Sequence, residues 1–529
     1  MGMDTLLLDS GAVTETQVEA AREETIRTGE RIDRALVRMG HVSPRAVLEA
    51  LAGQLAMDIV DVSEIQLTDA ITERIPSRLV FRLQCVPLSD DGERLRIATS
   101  DPLQLAELDE LRLLTGRDIE LVLADDDELR SLIRRHYGVA GDTLEALGSG
   151  PDVVQQTEPS EDEAQEASVI KLVRDLLVEA IRERATDVHI EPYEHSLSIR
   201  YRIDGVLSPA GVPPTVNRFR DAITSRLKIM AGLNVAERRR SQDGRIAFRH
   251  EGREFDLRVS VIPMVHGEGI VLRLLESSVA LMGLEQLGME SDTLLRWDDL
   301  IARPHGILLV TGPTGSGKST TLYASLNRVV SDSVKAITIE DPVEYQLEGV
   351  NQIPVTPNTL DFADGVRAIL RHDPDIVMVG EIRDRETAEA AIQASLTGHL
   401  VFSTLHTNDA ASAMPRLLDM GVEPFLVASS VEGVLAQRLV RRICTQCKAP
   451  GTGCRDCRHT GFRGRVGLYE LLELDEQLRD LILARSASPV LAKAALQAEQ
   501  LIPLVASGRQ KIDAGLTTEQ EVARVTHGG

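Results

Sequence analysis

A chain of 529 residues with 43% apolar content is too long for one hydrophobic core, and usual domain sizes suggest about three or four units. Its 58 basic residues against 82 acidic ones leave a net charge of −24, which argues against nonspecific nucleic-acid binding by the whole surface but not against a local basic groove. No apolar run approaches the roughly 18 residues that cross a bilayer, and the first residues lack the basic start and apolar stretch of a signal peptide, so a cytoplasmic protein that meets membranes through partners is expected.

Two similar segments open the chain, LLLDSGAVTETQVEAA from Leu6 and ALVRMGHVSPRAVLEA from Ala35. They read as a helical repeat. In each, a glycine (Gly11, Gly40) ends one helix and a capping residue starts the next: Thr14 with Gln17 as a capping box, then Ser43 with Pro44 at the first helical position. From Asp58 to Tyr137, strand-like segments at Leu95–Ala98 and Ile119–Leu123 lie among helix-like runs, which predicts a small α+β part completing an N-terminal domain over 1–140. Between Gly141 and Ile170 there is no Lys or Arg, while Glu158, Glu161, Asp162, Glu163 and Glu166 cluster among Gly, Pro, Ser and Gln. Such a stretch cannot bury apolar surface, so 141–167 reads as a flexible acidic linker.

A further domain, 168–289, opens with a helix whose apolar positions Val169, Leu172, Val173, Leu176, Ala180 and Ile181 follow helical spacing. Strands follow. In LSIRYRID the residues Leu197, Ile199, Tyr201 and Ile203 alternate with polar ones, and REFDLRVSV repeats the pattern with Phe255, Leu257, Val259 and Val261 inward, which turns Arg258 away from that core. From 290 to 529 strands and helices alternate, the pattern of a doubly wound α/β domain.

The nine residues Gly312, Pro313, Thr314, Gly315, Ser316, Gly317, Lys318, Ser319 and Thr320 complete the phosphate-binding pattern G-x-x-x-x-G-K-[ST] between a short buried strand (Gly306 to Thr311) and a helix (Lys318 to Val330). The glycines let the backbone wrap a phosphate with its N–H groups pointing inward, Lys318 reaches the β/γ-phosphates, and the Ser319 hydroxyl is a Mg²⁺ ligand. The chain is therefore expected to bind a nucleoside triphosphate. Downstream, AITIEDPVEY puts Glu340, Asp341 and Glu344 at the end of a buried strand, and DPDIVMVGEIRD delivers Glu381 from the strand Ile376–Val379 to the same edge. Carboxylates at strand tips beside a phosphate loop can hold Mg²⁺ or polarise an attacking water. A third strand, HLVFSTLH, is bracketed by His399 and His406, which suggests a γ-phosphate sensor or a subunit contact.

With these motifs the chain resembles the secretion ATPase superfamily, and within it the type II secretion and type IV pilus assembly motors (the GspE/PilB group), from about Ser168 onward. The resemblance rests on the phosphate loop, an Asp box (TIEDPVEY), a second acidic segment (DPDIVMVGEIRD), a His box (TGHLVFSTLHTND) and a four-cysteine segment. It implies a RecA-like α/β ATPase core preceded by an α+β, PAS-like domain, acting as a homo-hexameric, Mg²⁺-dependent ATPase. It also implies an inner-membrane platform protein and a membrane anchor with a cytoplasmic domain as partners. The Asp-box glutamate that activates water matches Glu344 and the second acidic motif matches Glu381. Arginines reaching nucleotide from the preceding domain match Arg258 and Arg273, and those of the C-terminal domain match Arg367, Arg371, Arg383 and Arg465.

Four of the five cysteines, Cys444, Cys447, Cys454 and Cys457, form C-x₂-C-x₆-C-x₂-C, the pattern of a structural Zn²⁺ site over 444–457. Disulfides are the competing reading, disfavoured in a cytoplasmic chain. His459 is a substitute ligand, and Cys85 reads as a buried thiol. The N-terminal repeat resembles a module by which such motors dock on a partner or bind cyclic di-GMP. The nucleotide-binding version begins its repeats with Arg-Leu-Gly, however, whereas this chain has Gly2, Met3, Asp4 and Arg31, Ile32, Asp33. An Asp where the backbone should approach a phosphate opposes that ligand. Two readings of another class stand beside the motor: a nucleic-acid translocase on the same core, which the acidic charge opposes, and a nucleotide-holding scaffold without turnover, which intact Lys318, Glu344 and Glu381 oppose.

Overall fold

The computed structural model describes residues 7–8, 12–28, 31–63, 65–102, 108–138, 161–276, 282–356 and 359–526. Two compact units divide the chain, Met1–Leu275 and Glu276–Gly529.

In the first unit, the helices Glu15–Thr28, Ile32–Arg38 and Pro44–Leu55 carry the opening repeat. Ser43 Oγ accepts from the Ala46 N–H at 3.2 Å, the expected cap, while of the Thr14–Gln17 box only the Gln half is made, Gln17 Oε1 accepting from the Thr14 N–H at 2.9 Å and from the Thr14 hydroxyl at 3.1 Å. Gly40 stops its helix at φ 75°, while Gly11 and the segment Gly2, Met3, Asp4 lie outside the described residues. Next comes a three-stranded sheet, β1 (Cys85–Asp90), β2 (Arg94–Thr99) and β3 (Asp118–Leu123), with β1 antiparallel and β3 parallel to β2. Helix Asp126–Tyr137, capped by Asp125, closes its core with Leu129, Leu132 and Ile133, and the Cys85 thiol is buried there.

Residues 141–160 of the expected linker lie outside the described residues, and the next helix already begins at Glu161 and runs to Arg182. Its apolar face (Leu172, Val173, Leu176, Ile181) packs on a six-stranded sheet. The strands are β4 (Asp187–Pro192), β5 (Leu197–Ile203), β6 (Val206–Pro209), β7 (Gln242–His250), β8 (Arg253–Met264) and β9 (Gly267–Glu276). Their order is β6-β5-β4-β9-β8-β7. Phe255, Leu257, Val259 and Val261 are buried, so the alternation read from β8 holds and Arg258 leaves the opposite face.

The second unit is built on an eight-stranded sheet: β10 (Gly306–Thr311), β11 (Ala336–Glu340), β12 (Val350–Pro354), β13 (Ile376–Val379), β14 (Leu400–Leu405), β15 (Val431–Ile443), β16 (Phe462–Glu473) and β17 (Leu501–Ile502). The order is β12-β11-β13-β14-β10-β15-β16-β17, parallel through β15 and antiparallel after it. Strands β10, β11, β13 and β14 are buried at every position, as mainly apolar strands of a parallel sheet covered on both faces should be, with the polar Thr338, Glu340, Ser403 and Thr404 buried among them. One face packs Leu309, Val379 and Val401 against Ala388 and Ala391, the other Leu308, Val310 and Phe402 against Leu322 and Trp297. Each such buried Leu, Val or Phe contributes roughly 1.5–3 kcal/mol of transfer free energy. The sheet order changes direction around β10, which places a crevice beyond the carboxyl end of that strand.

Candidate nucleotide site and cysteine cluster

The phosphate loop leaves β10 at Thr311, whose hydroxyl accepts from the Thr407 N–H at 2.9 Å and lies 3.0 Å from the Leu405 carbonyl, fastening the loop to the end of β14. Gly312, Gly315 and Gly317 take φ values of 148°, 79° and 89°. A Cβ on Gly312 would stand 2.5 Å from the Gln437 carbonyl and 2.6 Å from Ser316 Oγ, and one on Gly317 2.9 Å from Gln437 Nε2. Gly315 has open space around it, so its requirement is conformational alone. Pro313, Thr314 and Gly315 form the exposed brim, and Ser316 is buried with its hydroxyl unpartnered. Helix Lys318–Val329 follows at once, with Ser319 exposed and Thr320 half-buried in its first turn. Lys318 Nζ donates to the carbonyls of Gly312 at 2.9 Å and Pro313 at 3.2 Å. Burial pushes the Lys318 pKa down, against the pull of Glu381 and with a further push from Arg438.

At the end of β11, Glu340 is buried and fully engaged: Thr338 donates at 2.6 Å, Gln352 Nε2 at 3.0 Å, and the Tyr323 hydroxyl donates as well. So occupied, it holds the Asp-box turn against the helix that follows the phosphate loop. The Glu344 N–H donates to the same Tyr323 oxygen at 3.3 Å, which sets the half-buried Glu344 on that turn. Burial and the neighbouring Glu340 push the Tyr323 phenol well above its ordinary pKa, so it stays a donor.

Glu381, just past β13, accepts from Arg383 and lies 3.2 Å from His406 Nε2. Burial raises its pKa, but those two partners outweigh burial and hold it below the ordinary carboxylate value. Arg383 also stands 3.7 Å from Asp341, so Asp341, Arg383, Glu381 and His406 form one contiguous chain of polar contacts. Register puts these groups at the loop's edge of the sheet, because Thr311 pairs with Leu405, and Ile339, Val379 and Ser403 pair in turn.

For His399 it is the γ-phosphate-sensor alternative that requires a correction. His399 precedes Leu400, which pairs with Gly306 at the start of β10, and its Nδ1 lies 2.8 Å from the Ala394 carbonyl. A six-residue strand at about 3.3 Å per residue therefore carries it roughly 20 Å from His406, at the edge opposite the phosphate loop. Arg367 and Arg371 are exposed and bond locally, to Asp364 at 2.9 Å and to the Arg367 carbonyl at 3.2 Å. Arg465 is exposed on β16, paired in register with Arg441.

In the first unit, Arg258 and Arg273 come together from β8 and β9 on the wall of a cleft of about 610 Å³, with Asp243, Arg245 and Ser260 beside them. Asp187 aims Arg273, Oδ1 to Nε, at 3.1 Å. Sequence reasoning passed over Gln437, Arg438 and Tyr323. For the first two a signal existed: a Gln-Arg pair inside the otherwise apolar run VLAQRLV, where both side chains are buried.

The four cysteines sit between β15 and β16 with every Sγ within 4.8 Å of the others. Cys444–Cys454, Cys447–Cys457 and Cys454–Cys457 are each 3.8 Å apart. A tetrahedron of thiolates about 2.3 Å from zinc has edges of about 3.8 Å, whereas a disulfide needs about 2.05 Å. Burial raises the Cys457 pKa, but N–H groups of Cys454 at 3.0 Å and Gly461 at 3.2 Å point at its sulfur and carry it down to about 7. His459 contributes its backbone, bonding the Cys454 carbonyl at 2.8 Å, and its ring is not part of the cluster.

Residues 162–524 match the family model described as type II/IV secretion system protein. The chain belongs to that family. Within this secretion-family chain, residues 55–143 match the MshEN domain. It is 40% identical to the type IV pilus assembly ATPase PilB of Myxococcus xanthus and 40% identical to the type II secretion system protein E of Xanthomonas campestris, in each case over 98% of this chain and 97% of the relative. The solved ATPase DotB of Legionella pneumophila shares its fold, with a TM-score of 0.53 and 24% identity over 72% of this chain and 98% of that one. The RecA-like core expected from the motifs is thus the secretion ATPase architecture. In the N-terminal repeat of this family member, the Arg31 guanidinium is clasped by Asp33 at 2.8 Å and Asp101 at 2.7 Å. Among the described residues no helix is long and apolar enough to cross a membrane.

Proposed function

We propose that this chain is a Mg²⁺-dependent ATPase that powers type II protein secretion by driving pseudopilus assembly, as a homo-hexamer working on an inner-membrane platform protein and a membrane anchor. The observation that carries this reading is Lys318 resting on the carbonyls of Gly312 and Pro313, inside a loop where side chains at two glycines would collide with Gln437. A loop with two such glycines and an unpartnered Ser316 hydroxyl fits a phosphate rather than a packed core.

Lys318 exchanges those two carbonyls for phosphate oxygens of ATP, a stronger, charge-assisted pairing. Ser319 and the carboxylate of Glu381 are the residues that would hold Mg²⁺, which when bound neutralises charge on the β- and γ-phosphates. Glu344 accepts the proton of the attacking water. Arg383 and His406 keep Glu381 ionised, and Arg258 and Arg273 supply further cations from a neighbouring copy in the ring. The four thiolates would hold a structural Zn²⁺ that pins the connection between β15 and β16. The N-terminal module is read as a partner-docking module rather than a cyclic di-GMP receptor, since two carboxylates already neutralise Arg31. Pilus assembly is the second reading, supported by the PilB relative at equal identity and coverage.

Mg·ATP-dependent phosphate release by the full chain, abolished by Lys318→Ala, is the expected result; an equal rate in that variant would refute the ATPase assignment. Loss of secreted protein in a deletion strain with pili intact separates the two motor readings.

A further inference from the structure

Gln437 and Arg438 lie where β15 passes the phosphate loop. Thr311 pairs with Ala436, so the next two residues run beside Gly312 and Pro313. Gln437 is the loop's floor: its backbone and amide lie against Gly312 and Gly317, and its Oε1 accepts from Thr321 in the following helix at 2.7 Å. Arg438 is 8% exposed. Its Nη2 donates to the carbonyl and to Oδ1 of Asn408, at 3.1 and 3.2 Å, two residues beyond His406, while Nη1 is buried without a partner.

The two carboxylates whose charge reaches this guanidinium, Glu470 and Asp409, are hydrogen-bonded elsewhere. Asp409 accepts from the Ser412 N–H at 2.7 Å and its hydroxyl at 2.8 Å, and Glu470 accepts from the N–H groups of Ala410 at 2.7 Å and Leu504 at 3.2 Å. Among the described residues no carboxylate lies within ion-pairing distance of Arg438. A buried, permanently charged group with an unfilled donor is costly unless an anion completes it. Lys318 stands close enough to feel this charge.

We propose that Arg438 is a second cation of the phosphate site, holding Nη1 for the anion that binds on the loop while Nη2 fixes the turn carrying His406 and Asn408. The inference rests on the reading of residues 312–320 as a phosphate loop and assigns that site a ligand-binding residue outside its motif. Lys318 grips the phosphates from the helix side, and Arg438 meets the same charge from β15. Because Nη2 is bound to Asn408, occupancy of the loop and the position of the His406 turn become coupled through one planar guanidinium.

The test is calorimetric titration of the full chain with Mg·tripolyphosphate and with Mg·ATP, comparing wild type, Arg438→Gln, Arg438→Lys and Lys318→Ala. Removing one charge-assisted contact should weaken both ligands about tenfold in Arg438→Gln, with Arg438→Lys within about threefold of wild type. Thermal melts identify any variant that fails to fold, and the Lys variant then carries the comparison with an added 10-fold range of salt. Unchanged tripolyphosphate affinity in a folded Arg438→Gln, or equal loss with Gln and Lys, would overturn the proposal and leave Arg438 a packing residue. If Lys318→Ala also binds normally, it is the phosphate-loop reading itself that fails.

Discussion

His406 Nε2 lies 3.2 Å from Glu381 Oε2, so the segment after β14 and the segment after β13 meet at one carboxylate beside the phosphate loop. The carboxylate gains its charge preference from that contact and from Arg383, against a burial penalty of opposite sign. Two motifs 25 residues apart in sequence thereby act as one electrostatic unit.

Replacing that carboxylate should be expensive for turnover and measurable in stability. Glu381→Gln is expected to lower kcat on the order of 10²-fold. Because the folded-state pKa is depressed, Glu381 contributes stability that is present above the ordinary glutamate value of about 4.5 and lost as pH falls through the lower folded value. The stability gap between wild type and Glu381→Gln should therefore be widest near neutrality and shrink in acid. Chemical denaturation at a series of pH values measures it.

Two glycines of one loop should respond differently to the same methyl group. Gly312→Ala meets the Gln437 carbonyl at 2.5 Å and a positive φ together, and should abolish nucleotide binding. Gly315→Ala meets open space, and pays only about 1 kcal/mol for its left-handed backbone. Nucleotide affinity of the two variants, alongside their melting temperatures, checks the contrast.

Metal analysis of freshly purified, reduced protein should find one Zn²⁺ per chain. Cys457→Ser removes the sulfur that receives two backbone N–H groups, and should lower thermal stability while leaving the N-terminal unit unaffected. Zinc content and melting with and without chelator measure both effects.

Much of this site was legible because its signals are local. A buried apolar run before a glycine loop, acidic residues at strand tips and paired CxxC knuckles each depend on neighbours in sequence, and β10, β11, β13 and β14 lie where those runs put them. Register is not local, and His399 shows the consequence: it flanks the same strand as His406, yet six residues of β14 carry it to the other edge. Strand position alone does not separate Glu340 from Glu344, and in the sequence only the family resemblance singled out Glu344. Tertiary packing adds the physical difference, by surrounding Glu340 with Thr338, Gln352 and Tyr323. Gln437 and Arg438 escaped notice because strand β15 approaches the loop from more than a hundred residues away, a separation that no periodicity reports.

Arg258 and Arg273 share a cleft and carry no part of the phosphate loop. Charges that act mainly on the transition state should affect turnover rather than binding, so Arg258→Ala or Arg273→Ala should reduce kcat about 10-fold or more while nucleotide affinity changes little. Specific activity of the wild type should rise with protein concentration as rings form, which sedimentation run beside a rate assay would follow.

The central claim, that this is a hydrolysing motor rather than a nucleotide-holding scaffold, turns on Glu344. Single-turnover phosphate release by Glu344→Gln, measured together with its affinity for ATP, tests it most directly. The account predicts ATP binding within about threefold of wild type and release slowed on the order of 10²-fold or more, the loss expected when a general base is removed. Release at the wild-type rate would contradict it.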